Sequence, residues 1–332
     1  MRGSCQHWGA AVRYRLVVLA SVSALLLLPG AAFGSASGSS AAAHQATPVL
    51  RVIYVDVGQG DAIILRSGSW TGLIVGGPPG SDGAISARLS KAGVKRIDTL
   101  VITHPHADHI GGLPDVISQH KPRLAVYAEP GTTATWRSVK SDLTAVGATL
   151  KQVKSGAVLA LGRLKAKVLS LASLSGDPNE DSIVLLLTAA GKRFLFTGDC
   201  TGPNEAAVGA ICVRGPPVYV LKVAHHGSAY ATSSSFLSQT RPRYAVISVG
   251  KNSYGHPSPD IVARLKAHHV TTYTTQRSGN ITVTVASCGK VTWAFTRSKT
   301  PLVAVQHTMT LNSEPPRTSP RSTRHRWVRA GE

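Results

Sequence analysis

The sequence predicts an α+β fold of the αββα kind, a sandwich of two mixed β-sheets with helices outside. Two observations lead there. Short runs rich in β-branched residues outnumber the helical stretches, and these runs fall into two sets along the chain. A composition that is 43% hydrophobic supplies enough apolar surface for a core of one domain of about 250 residues.

The amino terminus comes first. Arg13 and Arg15 precede an apolar run over residues 16–28, closed by Pro29 and Gly30 and followed by small residues. This is the pattern of a secretory signal peptide over residues 1–36, with cleavage after Ala36 or a little later among residues 41–43. The run is short for a membrane span, so an uncleaved anchor is the alternative, and no integral membrane domain is expected beyond it. Either reading places the remainder outside the cytoplasm, secreted or extracytoplasmic. Residues 37–48, rich in Ser and Ala, read as a linker, and the domain is expected over residues 49–300.

Within the domain the first set of strands is expected at residues 49–57, 62–65, 73–75, 99–103 and 124–127. The second set is expected at 166–170, 183–188, 193–197, 218–223 and 244–249, followed by 271–275, 281–285 and 291–295. Helical spacing appears near 84–92, 113–119, 135–146, 234–239 and 261–267. Beyond Thr300, three prolines among Ser, Thr and Arg leave little to bury, which predicts a basic disordered tail over residues 301–332.

The formal net charge is +20, and the excess of Lys and Arg belongs to the middle of the chain as well as to its ends. Such a bias favours anionic partners, DNA among them, although solubility alone also explains it. Only 5% of residues are aromatic, which argues against an extensive base-stacking platform. Of the four cysteines, Cys5 precedes the apolar run. Cys200 and Cys212 enclose a short segment containing Gly, Pro and Ala that a disulfide could close, two reduced buried thiols being the alternative.

The sharpest local pattern is THPHADHIGG at residues 103–112, where His104, His106, Asp108 and His109 follow an apolar strand and precede two glycines. Imidazole and carboxylate gathered at a strand end suit a transition metal. Two further apolar strands end in ligand-type residues: one leads into Gly198 and Asp199, the other into His225 and His226. His225 lies closer to its strand end and is the preferred ligand, which leaves His226 a supporting or substrate-binding role. In DVGQGD, Asp56 and Asp61 flank two glycines; they read equally as carboxylates bracing a ligand histidine and as turn residues. Asn252 and His256 lie in a Gly- and Pro-containing loop after the strand ending near Val249, where His256 could donate to a phosphate oxygen or protonate a leaving group.

Taken in order, DVGQGDAIIL (56–65), THPHADHIGGL (103–113), NEDSIVLLL (179–187), FTGD (196–199), LKVAHHGS (221–228) and GKNSYGHPSP (250–259) resemble the metallo-β-lactamase superfamily. Within it they resemble the extracellular β-lactamase-like domain of ComEC-type DNA-uptake competence proteins. The resemblance implies one or two divalent ions, zinc or manganese: His104 and His106 on the first, Asp108, His109 and His225 on the second, Asp199 bridging. It implies a metal-dependent hydrolase of phosphodiesters, with Asp108 and His256 as catalytic residues. Lactam, lactone or other ester hydrolysis on the same site is the alternative activity, and a non-catalytic extracellular polyanion-binding protein the alternative class. Two departures stand out: no histidine occupies the Asn179–Ser182 segment, and Val75 stands where relatives commonly carry Asp.

Overall fold

The computed structural model describes residues 47–305, except 129 and 170–173. The expected signal peptide and nearly all of the linker and tail lie outside the described residues.

Fifteen strands form two sheets. The first contains β1 (Pro48–Tyr54), β2 (Ile63–Ser67), β3 (Trp70–Ile74), β4 (Thr99–Ile102), β5 (Leu124–Tyr127) and β6 (Thr149–Gln152). The second contains β7 (Val158–Leu161), β8 (Leu164–Val168), β9 (Leu185–Ala189), β10 (Lys192–Phe196), β11 (Val220–Lys222), β12 (Tyr244–Ile247) and β13 (Thr271–Thr274). The chain then returns to the first sheet with β14 (Ile281–Ala286) and β15 (Val291–Phe295), giving the orders β15-β14-β1-β2-β3-β4-β5-β6 and β13-β12-β11-β10-β9-β8-β7. Both sheets are mixed: β3 to β6 run parallel in one, β10 to β13 in the other.

Strand alternation divides the apolar residues between layers. Val52 and Tyr54 of β1 join Phe194 and Phe196 of β10 in the core between the sheets, whereas Ile53 and Leu195 face outward. The outer face of the first sheet is covered by helices Asp82–Lys91, Leu113–His120 and Ala134–Ala145, that of the second by Gly202–Cys212, Ser234–Thr240 and Pro259–Ala267. This is the expected αββα sandwich. Among the described residues no helix is long and apolar enough to cross a membrane.

Four expectations need correcting. β6 and β7 were not expected; β6 is a short, largely exposed edge strand, TLKQ, without an apolar face to announce it. The Cys200–Cys212 segment is a helix, Gly202–Cys212, and 11 residues at about 1.5 Å per residue hold the cysteines too far apart for a disulfide; both are free and buried. Residues 47 and 48 are not linker, because β1 begins at Pro48 and the Thr47 carbonyl accepts from the Ser287 amide. The tail begins later than expected: Val303 is buried and bridges Thr272.

Candidate metal centre

Parallel strands β4, β10, β11 and β12 end around one point. β4 leads into Thr103 and His104 and then a short helix, Ala107–Ile110, that carries Asp108 and His109. β10 leads through Gly198 to Asp199, and β11 ends in Lys222 before a 3-10 turn, Ala224–Gly227, that carries His225 and His226. Gly60 draws the DVGQGD loop into the same place. Its φ is +148°, and a Cβ there would run into the Asp108 carbonyl, which accepts from the Asp61 amide at 3.2 Å.

Asp108, His109, Asp199 and His226 each offer one ligand atom, and these four atoms lie within 4.8 Å of one another. Asp199 Oδ2 is the hub. It lies 3.2 Å from His109 Nε2 and 3.5 Å from His226 Nε2, with the Nε2 atoms of His104 and His225 each at 3.9 Å. Asp108 Oδ2 lies 3.1 Å from His226 Nε2 and 4.0 Å from His109 Nε2.

Hydrogen bonds orient the rings. His226 Nδ1 donates to the Ser248 carbonyl at 2.9 Å, because a carbonyl can only accept, and this turns Nε2 to the carboxylates. His104 Nδ1 lies between the Thr103 and Ser182 hydroxyls, 3.2 Å from each. Burial, reinforced by His109, holds His104 well below the ordinary histidine pKa and so neutral. Burial lowers His225 as well. For Asp199 burial would favour the protonated acid, yet His109 and His226 outweigh it and keep the carboxylate ionised; a hydrogen bond from His226 does the same for Asp108.

The buried Nε2 atoms of His104 and His109 have no hydrogen-bond partner among the described residues, and both face Asp199 Oδ2. Buried polar atoms seldom go unpaired. Imidazole nitrogens and ionised carboxylate oxygens converging on one point are the donors that zinc or manganese takes, so the residues fit a divalent ion.

The cluster is reached through an open cavity of about 650 Å³, whose wall includes His106, Asp108, Asp199, His225, His226, Asn252 and His256. His106 packs edge-on against His104, with ring centroids 4.8 Å apart. His226, expected in a supporting role, lies within the cluster, and His225, the expected ligand, lies at its rim with Nε2 3.9 Å from Asp199 Oδ2. Both histidines take positive φ, 49° and 52°, so nearness along the chain to the strand end does not decide which ring turns inward. His226 is buried in the cluster, whereas His225 is 31% exposed on the cavity wall. His256 stacks edge-on against His225 with centroids 5.7 Å apart, and burial followed by the His225 charge lowers its pKa.

One expected residue does other work. Asp56 points away to an ion pair with Arg297, and its amide donates to Asn280 Oδ1. Asn252 spends its side chain on its own loop: Nδ2 donates to the Gly250 and His256 carbonyls, and Oδ1 accepts from the Tyr254 and His256 amides. Asp61, in contrast, lies behind the cluster, 3.8 Å from His109 Nδ1 and 3.7 Å from His226 Nδ1.

Lys222 was missed. It is wholly buried, forms an ion pair with Asp61, donates to the Gly198 carbonyl at 3.0 Å and lies 3.7 Å from Asp199 Oδ1. The signal was available: strand alternation puts Lys222 on the same inward face as Val220, where a charge needs a partner.

The two departures are also accommodated. Asn179 lines the cavity, with a buried Oδ1 that accepts no hydrogen bond among the described residues. Val75 packs into the core between the sheets and takes φ +49° in the turn that leads to Gly76. The Gly76 amide then donates to the His109 carbonyl at 2.6 Å.

Comparison with known proteins agrees with this architecture. The chain is 32% identical to ComE operon protein 3 of Bacillus subtilis (strain 168) over 58% of its own length and 25% of that protein's. It is 29% identical to Competence protein ComA of Neisseria gonorrhoeae over 81% of its length and 38% of the relative's, so it spans well under half of either protein. Among solved structures it is similar to CmlA, a diiron beta-hydroxylase from Streptomyces venezuelae, with a TM-score of 0.51 and 16% identity over 72% of this chain and 55% of that one. It is also similar to the metallo-beta-lactamase fold protein YhfI from Bacillus subtilis, with a TM-score of 0.50 and 11% identity over 74% and 99%. At such identities these two likenesses speak for the fold alone. The strand-end histidines and aspartates fall within residues 55–251, which match the family model itself, and the chain belongs to the metallo-beta-lactamase superfamily.

Proposed function

We propose that the chain is an extracytoplasmic metal-dependent hydrolase that uses a metal-held water against phosphodiesters, DNA foremost. The observation that carries this reading is the group of partly exposed Asp108 with buried His109, Asp199 and His226, which includes an imidazole nitrogen without a hydrogen-bond partner among the described residues and opens to a cavity of about 650 Å³. Asp199 Oδ2 lies 3.9 Å from His104 Nε2, 3.2 Å from His109 Nε2 and 3.5 Å from His226 Nε2, so Asp199 is the carboxylate that two ions would share if two are held. A divalent ion, zinc or manganese, would lower the pKa of a coordinated water toward neutrality and offset charge on the phosphoryl oxygens.

The chain's own residues supply the rest. Asp108, partly exposed at the cavity and kept ionised by His226, orients the water and accepts its proton. His256 and Lys251 stand on the cavity wall where a phosphate oxygen or a leaving group would lie. The positive charge of the whole chain and its likeness to competence proteins support a nucleic-acid substrate over a lactam or small ester. The amino-terminal pattern supports export.

The test is metal content followed by hydrolysis of bis-para-nitrophenyl phosphate, plasmid DNA and nitrocefin. The reading expects cleavage of the two phosphodiesters, lost on chelation. Asp199→Ala should lower metal content and rate together, while Asp108→Asn keeps the fold and loses about 10² or more of the rate as the proton acceptor goes. Full activity in metal-depleted Asp199→Ala protein would refute the metal mechanism, and turnover of nitrocefin alone would move the assignment to lactam hydrolysis.

A further inference from the structure

Asp61 occupies the place from which a carboxylate ordinarily braces ligand histidines, behind their Nδ1 atoms. It does not brace them closely. His226 Nδ1 donates instead to the Ser248 carbonyl, Thr103 Oγ1 at 3.5 Å is nearer to His109 Nδ1 than Asp61 is, and Asp61 Oδ1 takes no hydrogen bond among the described residues. What holds Asp61 is Lys222, an ammonium sealed from solvent that also faces Asp199 Oδ1, the oxygen turned away from the histidine Nε2 atoms.

The charges then decide how much cation this pocket accepts. Asp61, Asp108 and Asp199 bring three negative charges and Lys222 one positive charge, and an imidazole that holds an ion is neutral, its proton displaced. The balance of two negative charges is what one divalent ion cancels. A second divalent ion would leave the group two charges positive at a place where uncompensated buried charge is costly. The other lysine on the cavity wall, Lys251, is exposed to water and does not enter this buried balance.

We propose that Lys222 sets the ion capacity of the centre: its ammonium, fixed to Asp61 and facing Asp199, acts as a built-in cation, so that the protein without substrate holds one divalent ion, in the Asp108–His109–Asp199–His226 group. Lys222 is thus a positioning residue that works through the charge of Asp61 and Asp199. The inference rests on the metal reading above and adds to it the number of ions and the residue that fixes that number.

The experiment titrates Mn²⁺ alone into the chelator-stripped full chain by calorimetry and counts bound ions after dialysis. The wild type should bind one ion per chain. Lys222→Met, which leaves three negative charges, should bind two. Asp61→Asn, which leaves one, should hold its single ion about 10- to 100-fold more weakly. The double variant Lys222→Met with Asp61→Asn restores the charge balance without an unpaired buried group, and should return to one ion at near-wild-type affinity. That variant keeps the proposal testable if Lys222→Met alone fails to fold. Two ions in the wild type, one ion in a folded Lys222→Met protein, or equal affinities in Asp61→Asn and the double variant would each overturn the role of Lys222 and leave the metal reading standing. No binding by the wild type would overturn the metal reading and this inference with it.

Discussion

His226 meets two carboxylates and a carbonyl, and together they decide where its proton resides. Burial works against the imidazolium, but Asp199 and the hydrogen bond to Asp108 push its pKa up to about 10. In the metal-free protein Nε2 therefore keeps a proton at neutral pH, and an ion must displace it. Affinity for Mn²⁺ should rise about tenfold per pH unit below about 10, and binding at pH 8 should release about one proton per ion, read by calorimetry in buffers of different ionisation enthalpy. Uptake with no proton release would show that His226 is not displaced by the ion. The stability signs follow. The folded pKa of His226 lies above the ordinary histidine value, so its contribution to the metal-free fold is present below that value and lost as pH rises through about 10. His104 is the reverse: burial lowers its pKa, so its contribution falls away as pH drops below the ordinary histidine value. Legibility at this scale was uneven for a physical reason. The HxHxDH spacing shows in the sequence because its residues follow one strand end, whereas the choice between His225 and His226 depends on two positive-φ residues in a turn that no periodicity reveals.

At the scale of elements, the strands with an inward apolar face were legible, β1, β10 and β14 among them, and edge strand β6 was not. Helix Gly202–Cys212 was hidden by its Gly-Pro start and by two cysteines that suggested a bridge, although Pro in the first turn is a helix-starting feature. Burial raises the pKa of both thiols, which makes them poor nucleophiles. A thiol reagent applied to the native protein should therefore label exposed Cys288 and spare Cys200 and Cys212 until denaturant is added, as read by peptide mass mapping. A 200–212 disulfide peptide in non-reduced digests would contradict the helix. The 250–256 loop is a second element whose role is testable apart from the ions. Asn252 makes four hydrogen bonds within it and touches none of the four clustered side chains through them. Asn252→Ala should loosen the loop that carries Lys251 and His256, lowering phosphodiester turnover about tenfold, the equivalent of one or two such bonds, with metal content unchanged. A parallel loss of metal would instead place Asn252 in support of the cluster.

Over the whole molecule the dominant quantity is charge, +20 on 332 residues, and part of it lies beyond the last described residue. Residues 306–332 include Arg317, Arg321, Arg324, Arg326 and Arg329, while Val303 still pairs with Thr272. A truncation after Val305 therefore removes five arginines and leaves the β13 contact and the cavity intact. If the substrate is a nucleic acid, those guanidiniums neutralise phosphates and release counterions, contributing affinity that falls as salt rises. Affinity for long DNA should drop on truncation, with a shallower dependence of log affinity on log salt, while turnover of bis-para-nitrophenyl phosphate stays at the wild-type rate because the described residues that line the cavity are all retained. The difference between the two proteins should also shrink at high salt, where the intact protein has already lost those contacts. The measurement is DNA binding by both proteins across a salt series, beside small-substrate kinetics for each. Equal affinities with equal salt slopes would confine the DNA interaction to the folded domain; a fall in small-substrate turnover on truncation would show that residues 306–332 act on the centre itself.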